Sequence, residues 1–252
     1  MISQSKIKLI NSLSKKKYRD INQLFIAEGE KLVSDLSDSS IHIKWLFASK
    51  QWIEDHSSII ADEITECEES QLKKITQLKT PSPVIAICSI PDQKIQNLDI
   101  DKDLTLALDD IQDPGNLGTI IRLADWFGIK NIVCSQNTAD AYNPKVIQAT
   151  MGAIARVNLF YTDLELFLKQ AREKNNSIYG TFLDGEDIYR KELNSCGIIV
   201  MGNEGKGISS KIESLVSDKL LIPSFSTNPI HSESLNVSTA TAITLSEFRR
   251  RF

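Results

Sequence analysis

Residues 202–207 read GNEGKG and directly follow the apolar run GIIVM. Glycine permits close backbone approach and positive φ angles, so the main chain of this segment is suited to contact a ligand. The spacing does not fit a Walker phosphate loop, because Asn203 follows Gly202 where Lys is required. It does not fit a dinucleotide fingerprint either, because Ser210 occupies the third glycine position. The pattern favours a flat, weakly charged ligand over a triphosphate.

An α/β rhythm in the second half of the chain positions this segment. Short β-rich runs alternate with stretches of helical periodicity, and the runs are LTLALD (104–109), NIVCS (131–135), IYGTFL (178–183), GIIVMG (197–202) and KLLIP (219–223). Such alternation predicts a parallel sheet with helices on both faces. Ligands of these sheets bind beyond the carboxyl ends of the strands, and GNEGKG follows one of those ends.

The first part of the chain has its own α/β pattern. IKWLFAS (43–49) and SPVIAICSI (82–90) predict strands, and LFIAEGEKLVSDL combines an apolar start with helical spacing. A polar, charged segment with a leading proline follows these elements. We therefore predict an N-terminal domain over 1–92, a linker over 93–103 and a second domain over 104–252.

Composition excludes several protein classes. The chain has 252 residues, of which 41% are hydrophobic and 25% charged, as in ordinary globular proteins. No apolar stretch approaches the ~20 residues of a membrane span, and the N-terminus lacks the features of a signal peptide, so a cytoplasmic protein is expected. The four cysteines form no CxxC pair and are expected to be reduced, and the three histidines are scattered, so no metal is expected.

Basic residues concentrate at both ends of a chain whose net charge is −4. Lys15, Lys16, Lys17 and Arg19 lie in an N-terminal stretch without acidic residues, and residues 249–251 are all Arg. Such ends are suited to contact RNA phosphates. The alternative is solvated charge that serves solubility, and charge alone does not decide between them.

Three stretches resemble the motifs of the SpoU-type RNA ribose 2′-O-methyltransferases of the SPOUT superfamily. They are DDIQDPGNLGTIIRLADWFGIKNIV (109–133), GNEGKGIS (202–209) and LLIPSFSTNPIHSESLNVSTATAITLSEF (220–248), in the order of the family. DAYNPKVIQATMGAIARV (140–157) resembles the segment between the first two motifs. Residues 1–90 resemble, more loosely, the substrate-binding domain that many members carry.

The resemblance implies a fold, a cofactor and partners. The fold is a SPOUT-type parallel sheet with a deep C-terminal trefoil knot, preceded by a small α/β RNA-binding domain. The cofactor is S-adenosylmethionine, which the knot loops bind largely through backbone groups. The partners are an RNA substrate, with rRNA favoured over tRNA because of the N-terminal extension, and a second copy of the chain in a homodimer.

The family motifs also imply which residues contact the cofactor. Carried over by motif position, the cofactor-binding residues are Thr181, Leu183, Gly202, Ile222, Pro223 and Leu235. For Ile222 and Leu235 a core position is the alternative, and both roles are compatible. The apolar face of the helix over 235–248 is expected to be available for dimer packing.

Arg122 is the predicted central catalytic residue. Its apolar neighbours define one helical face, so Arg122 projects from the opposite side. From spacing alone, a surface pair with Asp125 is favoured. The resemblance instead implies a role at the ribose hydroxyl, where the guanidinium, a poor base, stabilises the developing alkoxide.

The other predicted catalytic residues are polar. The resemblance implies that Asn116 fixes the RNA or Arg122, that Glu204 fixes the glycine loop or binds RNA, and that Ser234 and Asn236 orient the ribose and Asn116. Helix capping is the alternative for Asn116, Ser234 and Asn236.

Two further classes of function stay open. One is a catalytically silent RNA-binding or ribosome-assembly protein on the same fold. The other is a hydrolase that uses His231 with Ser232 or Ser234, which adjacent positions and the missing G-x-S-x-G elbow disfavour. Binding of S-adenosylmethionine, followed by methyl transfer to RNA, separates the three.

Overall fold

A computed structural model describes residues 2–95, 98–228 and 233–252. The chain divides into two compact units, the first formed by residues 1–92 with 140–156 and the second by residues 93–139 with 157–252. The predicted domain bounds of 1–92, 93–103 and 104–252 stay a prediction. The two compact units differ from the predicted domains in two segments. Residues 140–156 belong to the first unit, and the predicted linker over 93–103 belongs to the second.

The described residues contain ten strands. Their bounds are Leu24–Glu28 (β1), Ile43–Ala48 (β2), Glu63–Glu66 (β3), Val84–Ser89 (β4), Leu104–Asp109 (β5), Asn131–Ser135 (β6), Asn158–Thr162 (β7), Ile178–Asp187 (β8), Gly197–Gly202 (β9) and Asp218–Leu221 (β10). The predicted strands at 104–109, 131–135 and 197–202 agree with β5, β6 and β9 at both ends.

The same residues contain ten α-helices. Their bounds are Gln4–Ser12 (α1), Lys16–Asn22 (α2), Glu30–Ser37 (α3), Lys50–Asp55 (α4), Glu69–Leu72 (α5), Pro114–Trp126 (α6), Pro144–Thr150 (α7), Leu164–Glu173 (α8), Ser210–Glu213 (α9) and Val237–Arg250 (α10). A short 3₁₀ helix, Ala153–Ala155, follows α7. No described helix is long and apolar enough to cross a membrane.

The first unit is built on a four-stranded sheet in the order β1-β4-β2-β3. Strand β4 pairs antiparallel with β1 and β2, while β2 and β3 are parallel. All five residues of β1 are buried. Ile10, Leu13, Phe47 and Ile85 belong to the core cluster that the sheet shares with α1.

Residues 140–156 contact the rest of the first unit through several side chains. Asp140 receives hydrogen bonds from Arg19, and the ring of Tyr142 lies 5.1 Å from that of Phe25. The amide of Gln148 donates to the backbone oxygen of Glu28 at 2.7 Å. These partners are more than a hundred residues apart in sequence, so local periodicity gives no indication of them.

The second unit contains a six-stranded, all-parallel sheet in the order β10-β8-β9-β5-β6-β7. The two central strands β5 and β9 are buried along their whole length, as expected for strands covered on both faces. Ile95, Leu98 and Ile100 pack against the core of this unit. These three apolar side chains therefore anchor residues 93–103, the segment that was predicted to be a linker because of its polar composition.

Helix α10 packs on α6 and β9 within the second unit. Val237, Leu245 and Phe248 are buried there, and the Phe248 ring meets Tyr179 edge-on at 4.9 Å. The expectation that the apolar face of this helix is free for a partner chain is therefore wrong for these residues. Their burial follows from the packing of α6, which sequence periodicity does not show.

The sequence predicts reduced cysteines and no metal site. All four cysteines are free thiols, and burial raises the pKa of Cys88 and Cys134. Within the described ranges no cluster of His, Cys, Asp and Glu side chains is arranged to hold a metal ion. His231 and Ser232, the hydrolase candidates, lie outside the described residues.

Candidate functional site

The candidate site lies at the carboxyl edge of the parallel sheet. In the register of three neighbouring strands, Gly180 of β8 pairs with Val200 of β9 and with Lys219 of β10. Residues that follow these positions therefore emerge at one edge of the sheet. Gly202 ends β9 there, opposite Asp109 at the end of β5.

The glycine segment forms a tight loop closed by its own backbone. Asn203 and Gly207 exchange two backbone hydrogen bonds, of 3.0 and 2.9 Å. The side-chain oxygen of Asn203 accepts from the backbone N–H groups of Gly205 and Lys206 at 2.9 and 3.0 Å, and its amide donates to the backbone oxygen of Asp110 at 2.8 Å. Asn203 thus ties the loop to the end of β5.

Two glycines of this loop are required for different physical reasons. A Cβ on Gly202 would lie 2.3 Å from backbone atoms of Gly207 and Ile208, so the loop closes over this residue too tightly for any side chain. Gly207 has open space around it but a φ of +70°, which side-chain-bearing residues rarely adopt. Asp109 supports the same turn, because its carboxylate accepts from the N–H of Ser209 at 2.7 Å.

Helix α6 begins beside this loop. Asp113 is its N-cap and accepts from the N–H of Asn116 at 2.8 Å, while Pro114 occupies the first helical position, where its missing N–H costs nothing. Asn116 is therefore not the capping residue. The Asn116 side chain does not cap the helix, and it is half-buried at the third helical position.

Three side chains from three motifs form one hydrogen-bonded row. The Asn116 amide donates to Glu204 Oε1 at 3.0 Å, and Asn236 Nδ2 donates to Asn116 Oδ1 at 2.9 Å. A carboxylate only accepts, so Glu204 fixes which end of Asn116 faces it, and the Asn116 oxygen is left for Asn236. The structure thus brings together three of the five predicted catalytic residues.

Asn236 also caps α10. Its Oδ1 accepts from the backbone N–H groups of Ser238 and Thr239 at 2.9 and 3.3 Å and from the Ser238 hydroxyl at 2.6 Å. The cap and the bond to Asn116 therefore coexist in this residue, because opposite ends of its amide form them. Ser234 is exposed and lies two residues before this cap.

Arg122 lies apart from this row. It is exposed, and within the described part of the chain its side chain forms no hydrogen bond or ion pair, so the alternative of a surface pair with Asp125 is not observed there. Six residues separate Arg122 from Asn116, or about 9 Å along the helix axis and roughly 120° around it. One turn further along α6, Trp126 is 83% exposed.

The predicted cofactor residues lie in or after the three strands β8, β9 and β10, except Leu235, which directly precedes the N-cap of α10. The register of β8 against β10 shifts between Lys219 and Leu220, which pair with Gly180 and Glu186, so residues 181–185 have no partner on β10. Thr181 and Leu183 lie in this unpaired stretch, and Leu183 is 77% exposed. Ile222 and Pro223 directly follow β10 and are half-buried. Leu235 is 49% exposed, so it is not a core residue of this chain.

The predicted RNA-binding residues divide into two groups. Lys15, Lys16 and Lys17 are exposed. Arg19 is 2% exposed and donates to Asp140 and to the backbone oxygen of Leu13. A phosphate contact by Arg19 is therefore contradicted, because its guanidinium already serves a buried ion pair.

The C-terminal arginines are likewise engaged within the chain. Arg249 donates to the backbone oxygens of Phe127 and Gly128, and Arg250 and Arg251 both donate to Glu247. The basic C-terminus is therefore largely a structural feature of the second unit.

Comparison with known proteins identifies the family of this chain. Residues 103–246 match the model of the SpoU rRNA Methylase family. The chain belongs to this family. Residues 4–86 match the MRM3-like substrate binding domain.

Full-length relatives of this SpoU family chain include enzymes and solved structures. This chain is 29% identical over 250 residues to the 23S rRNA (guanosine(2553)-2′-O)-methyltransferase RlmP of Bacillus subtilis. The match covers 97% of this chain and 96% of that protein. A TrmH-family structure from Porphyromonas gingivalis is 38% identical with a TM-score of 0.92, and the match covers 100% of both chains. An AdoMet-bound rRNA methyltransferase from Sinorhizobium meliloti is 29% identical with a TM-score of 0.87, over 100% of this chain and 97% of that one.

Membership of the SpoU family confirms several predictions from the sequence. The family, the α/β fold with its parallel sheet, the RNA ribose 2′-O-methyltransferase class and the donor S-adenosylmethionine are confirmed. The trefoil knot and the individual site residues stay predictions.

Sequence reasoning about this SpoU chain missed three residues that shape the site. Asn203, Asp109 and Asp110 organise the glycine loop, and Asp110 has a φ of +62°, uncommon for a residue with a side chain. The signal was present, because Asn203 lies within the quoted loop, Asp109 ends a predicted strand and Asp110 directly follows it. Only the fold brings them within hydrogen-bonding distance.

Proposed function

We propose that this chain transfers a methyl group from S-adenosylmethionine to the 2′-hydroxyl of a ribose in 23S rRNA. The observation that carries the proposal is the row Glu204–Asn116–Asn236, which joins the three sequence motifs at the carboxyl edge of the sheet. A packing role does not require this row, because Glu204 and Asn236 are exposed.

The loops at this edge suit the methyl donor. Backbone groups of the closed glycine loop at Gly202 and of Ile222 and Pro223 would hold the adenosine, while Leu183 and Leu235 offer it exposed apolar surface. Thr181 supplies a hydroxyl beside them. When bound, S-adenosylmethionine supplies an already activated methyl group, so the chain need only hold the ribose oxygen in line with it.

The polar residues act on the ribose side of the reaction. Arg122 carries a positive charge that no described group neutralises, so it is able to stabilise the alkoxide that forms as the hydroxyl loses its proton. Asn116 and Asn236 are held by their mutual hydrogen bond and keep their orientation during the reaction. Ser234, exposed beside them, would orient the ribose.

The relatives support a proposal for the substrate and the location. The likeness to RlmP extends over 97% of this chain and so includes the N-terminal part, which supports ribosomal over transfer RNA. Lys15, Lys16 and Lys17 provide exposed charge for phosphates. We place the activity in the cytoplasm, where bacterial ribosomes are assembled.

A homodimer completes the proposal. Trp126 is 83% exposed one turn from Arg122, and such an aromatic side chain is typical of an interface centre. Because Arg122 does not bond to the row in its own chain, we propose that it serves the row of the partner. The trefoil knot, implied by the family, would hold the row and the dimer interface in place.

The experiment compares Arg122→Ala with wild type in single-turnover methyl transfer to an unmodified 23S rRNA transcript. We expect the rate to fall by about two to four orders of magnitude, because this interaction strengthens only as the alkoxide forms. Calorimetry should give an unchanged affinity for S-adenosylmethionine.

Arg190→Ala is the matched control, since Arg190 is an 86% exposed arginine of the same unit. It should methylate at the wild-type rate. An Arg122→Ala protein as fast as wild type would remove the catalytic assignment. A wild-type protein that binds the transcript and never methylates it would favour the catalytically silent RNA-binding alternative.

A further inference from the structure

Helix α2 of the first unit presents an unusual combination of side chains. Tyr18 is 39% exposed and Ile21 is 67% exposed, and Lys15 and Lys17 are exposed beside them. Residues three and four apart are neighbours on a helix, so Tyr18 lies next to Ile21, and Lys17 also lies next to Ile21. We call Lys15, Lys17, Tyr18 and Ile21 the α2 face.

The opposite side of α2 is rigidly anchored. Arg19 donates to Asp140 Oδ2 from Nε at 2.9 Å and from Nη2 at 2.5 Å, and its Nη1 donates to the backbone oxygen of Leu13 at 2.7 Å. A guanidinium with three bonds in a buried site holds its helix in one position. The α2 face is therefore a fixed surface, and fixed aromatic groups lose little entropy when a ligand binds.

Charge determines which ligand this surface suits. Lys16 pairs with Asp20, whereas Lys15 and Lys17 form no ion pair within the described ranges. Two free cations flank the apolar groups, so an anionic ligand with a flat apolar part is favoured. A second copy of this chain would bring the same lysines against these and be repelled.

We propose that the α2 face binds an unpaired nucleotide of the RNA substrate. Tyr18 stacks on the base, Ile21 covers the edge of the same base, and Lys15 and Lys17 contact the flanking phosphates. Arg19 acts as the support of this face and touches no RNA. This inference rests on the proposed function, and it adds a base-stacking site remote in sequence from the methyl-transfer motifs.

The test measures affinity for the unmodified 23S rRNA transcript across a series of salt concentrations. Tyr18→Ala should weaken binding by about 5- to 150-fold, the loss typical of one base–aromatic stack, with the salt dependence unchanged. Tyr18→Phe keeps the ring and should bind within about threefold of wild type. The double variant Lys15→Gln, Lys17→Gln should instead flatten the salt slope by up to ~1.4, because two phosphate contacts are lost.

Two controls separate stacking from other causes. Tyr189→Ala removes a 43% exposed tyrosine of the second unit and should bind the transcript as wild type does. A fully paired RNA duplex offers no free base, so Tyr18→Ala and wild type should bind it equally. Equal thermal unfolding midpoints would show that the exposed substitutions leave the fold intact.

Several outcomes would overturn the inference. It is wrong if Tyr18→Ala binds the transcript with wild-type affinity, or if Tyr18→Ala lowers the mass of the protein in sedimentation, since the face would then join copies of the chain. If wild type methylates the transcript while Tyr18→Ala binds it normally, only the stacking site is lost. If wild type binds no RNA, the stacking site and the proposed function both fail.

Discussion

At the scale of single residues, the site depends on the direction of its hydrogen bonds. Glu204 accepts from Asn116, which in turn accepts from Asn236, and the remaining oxygen of Asn236 faces two backbone N–H groups of α10. Each amide is used at both ends, so no member of the row is free to rotate. The row therefore transmits the position of the α10 N-terminus to the glycine loop.

This directionality predicts different effects for two substitutions of Glu204. Glu204→Gln keeps a carbonyl oxygen that accepts from Asn116, so its single-turnover methylation rate should stay within about tenfold of wild type. Glu204→Ala leaves the Asn116 amide without an acceptor and should lower the rate by about 10- to 150-fold, as the loss of a bond to a charged group does. A glutamine variant as slow as the alanine variant would mean that the negative charge, and not the acceptor, is what matters.

At the scale of elements, the end of α10 depends on a buried carboxylate. Glu247 is 4% exposed and accepts from Arg250 and Arg251, and Arg251 also donates to the backbone oxygens of Lys191 and Ile188. The Arg250 bond and then the Arg251 bonds lower the pKa of Glu247 below its usual range, against the effect of burial. Through Arg251, these ion pairs connect the C-terminal end of α10 to the residues that follow β8.

Glu247→Gln should therefore lower the free energy of unfolding by about 1 to 3 kcal/mol at pH 7. A lowered pKa contributes stability that is present above the ordinary glutamate pKa and is lost as the pH falls through the folded-state value. The difference between variant and wild type in denaturant titrations should accordingly shrink in acid.

Glu173→Gln, at an exposed glutamate on α8, serves as the control for this titration and should match wild type at both pH values. A Glu247→Gln deficit that stays constant down to acid pH would contradict the ion-pair explanation.

The elements also indicate how far the sequence leads. Strands β5, β6 and β9 have the local signature of buried parallel strands, short apolar runs bounded by turn residues, and the prediction gave their bounds. Strand β7, Asn158–Thr162, was missed, and β8 proved longer than its apolar run because residues 184–187 are polar. Their assignment depends on pairing with neighbouring strands, which no window of local sequence contains.

The same limit applies to the site. The motif resemblance identified Asn116, Glu204 and Asn236, and the structure joins them. Arg19 was predicted from charge alone, and its partner Asp140 is 121 positions away. Burial of a charge depends on such distant partners, so composition could not distinguish a phosphate contact from a structural ion pair.

At the scale of the whole molecule, the position of Arg122 is explained by the proposed homodimer. Arg122 projects about 9 Å along α6 and roughly 120° around it from Asn116, so the two side chains of one chain point to different places. In the proposed symmetric dimer, a two-fold interface around the exposed Trp126 would bring the same patch of both chains together. Each site would then combine the row of one chain with the arginine of the other.

Mixing two inactive variants tests this arrangement. Arg122→Ala and Glu204→Ala proteins, combined in equal amounts and allowed to exchange subunits, should form about half mixed dimers, each with one intact site. The mixture should therefore regain roughly a quarter of the wild-type methylation rate, while each variant alone stays slow.

Adding Trp126→Ala to both variants should abolish this recovery and shift the protein towards monomer in sedimentation at micromolar concentration, because loss of an aromatic anchor commonly costs 2 kcal/mol or more of binding energy. Leu166→Ala, at a 54% exposed position of the same unit, should leave the recovery intact. A mixture no faster than the sum of its two components would place Arg122 and Glu204 in the same chain's site.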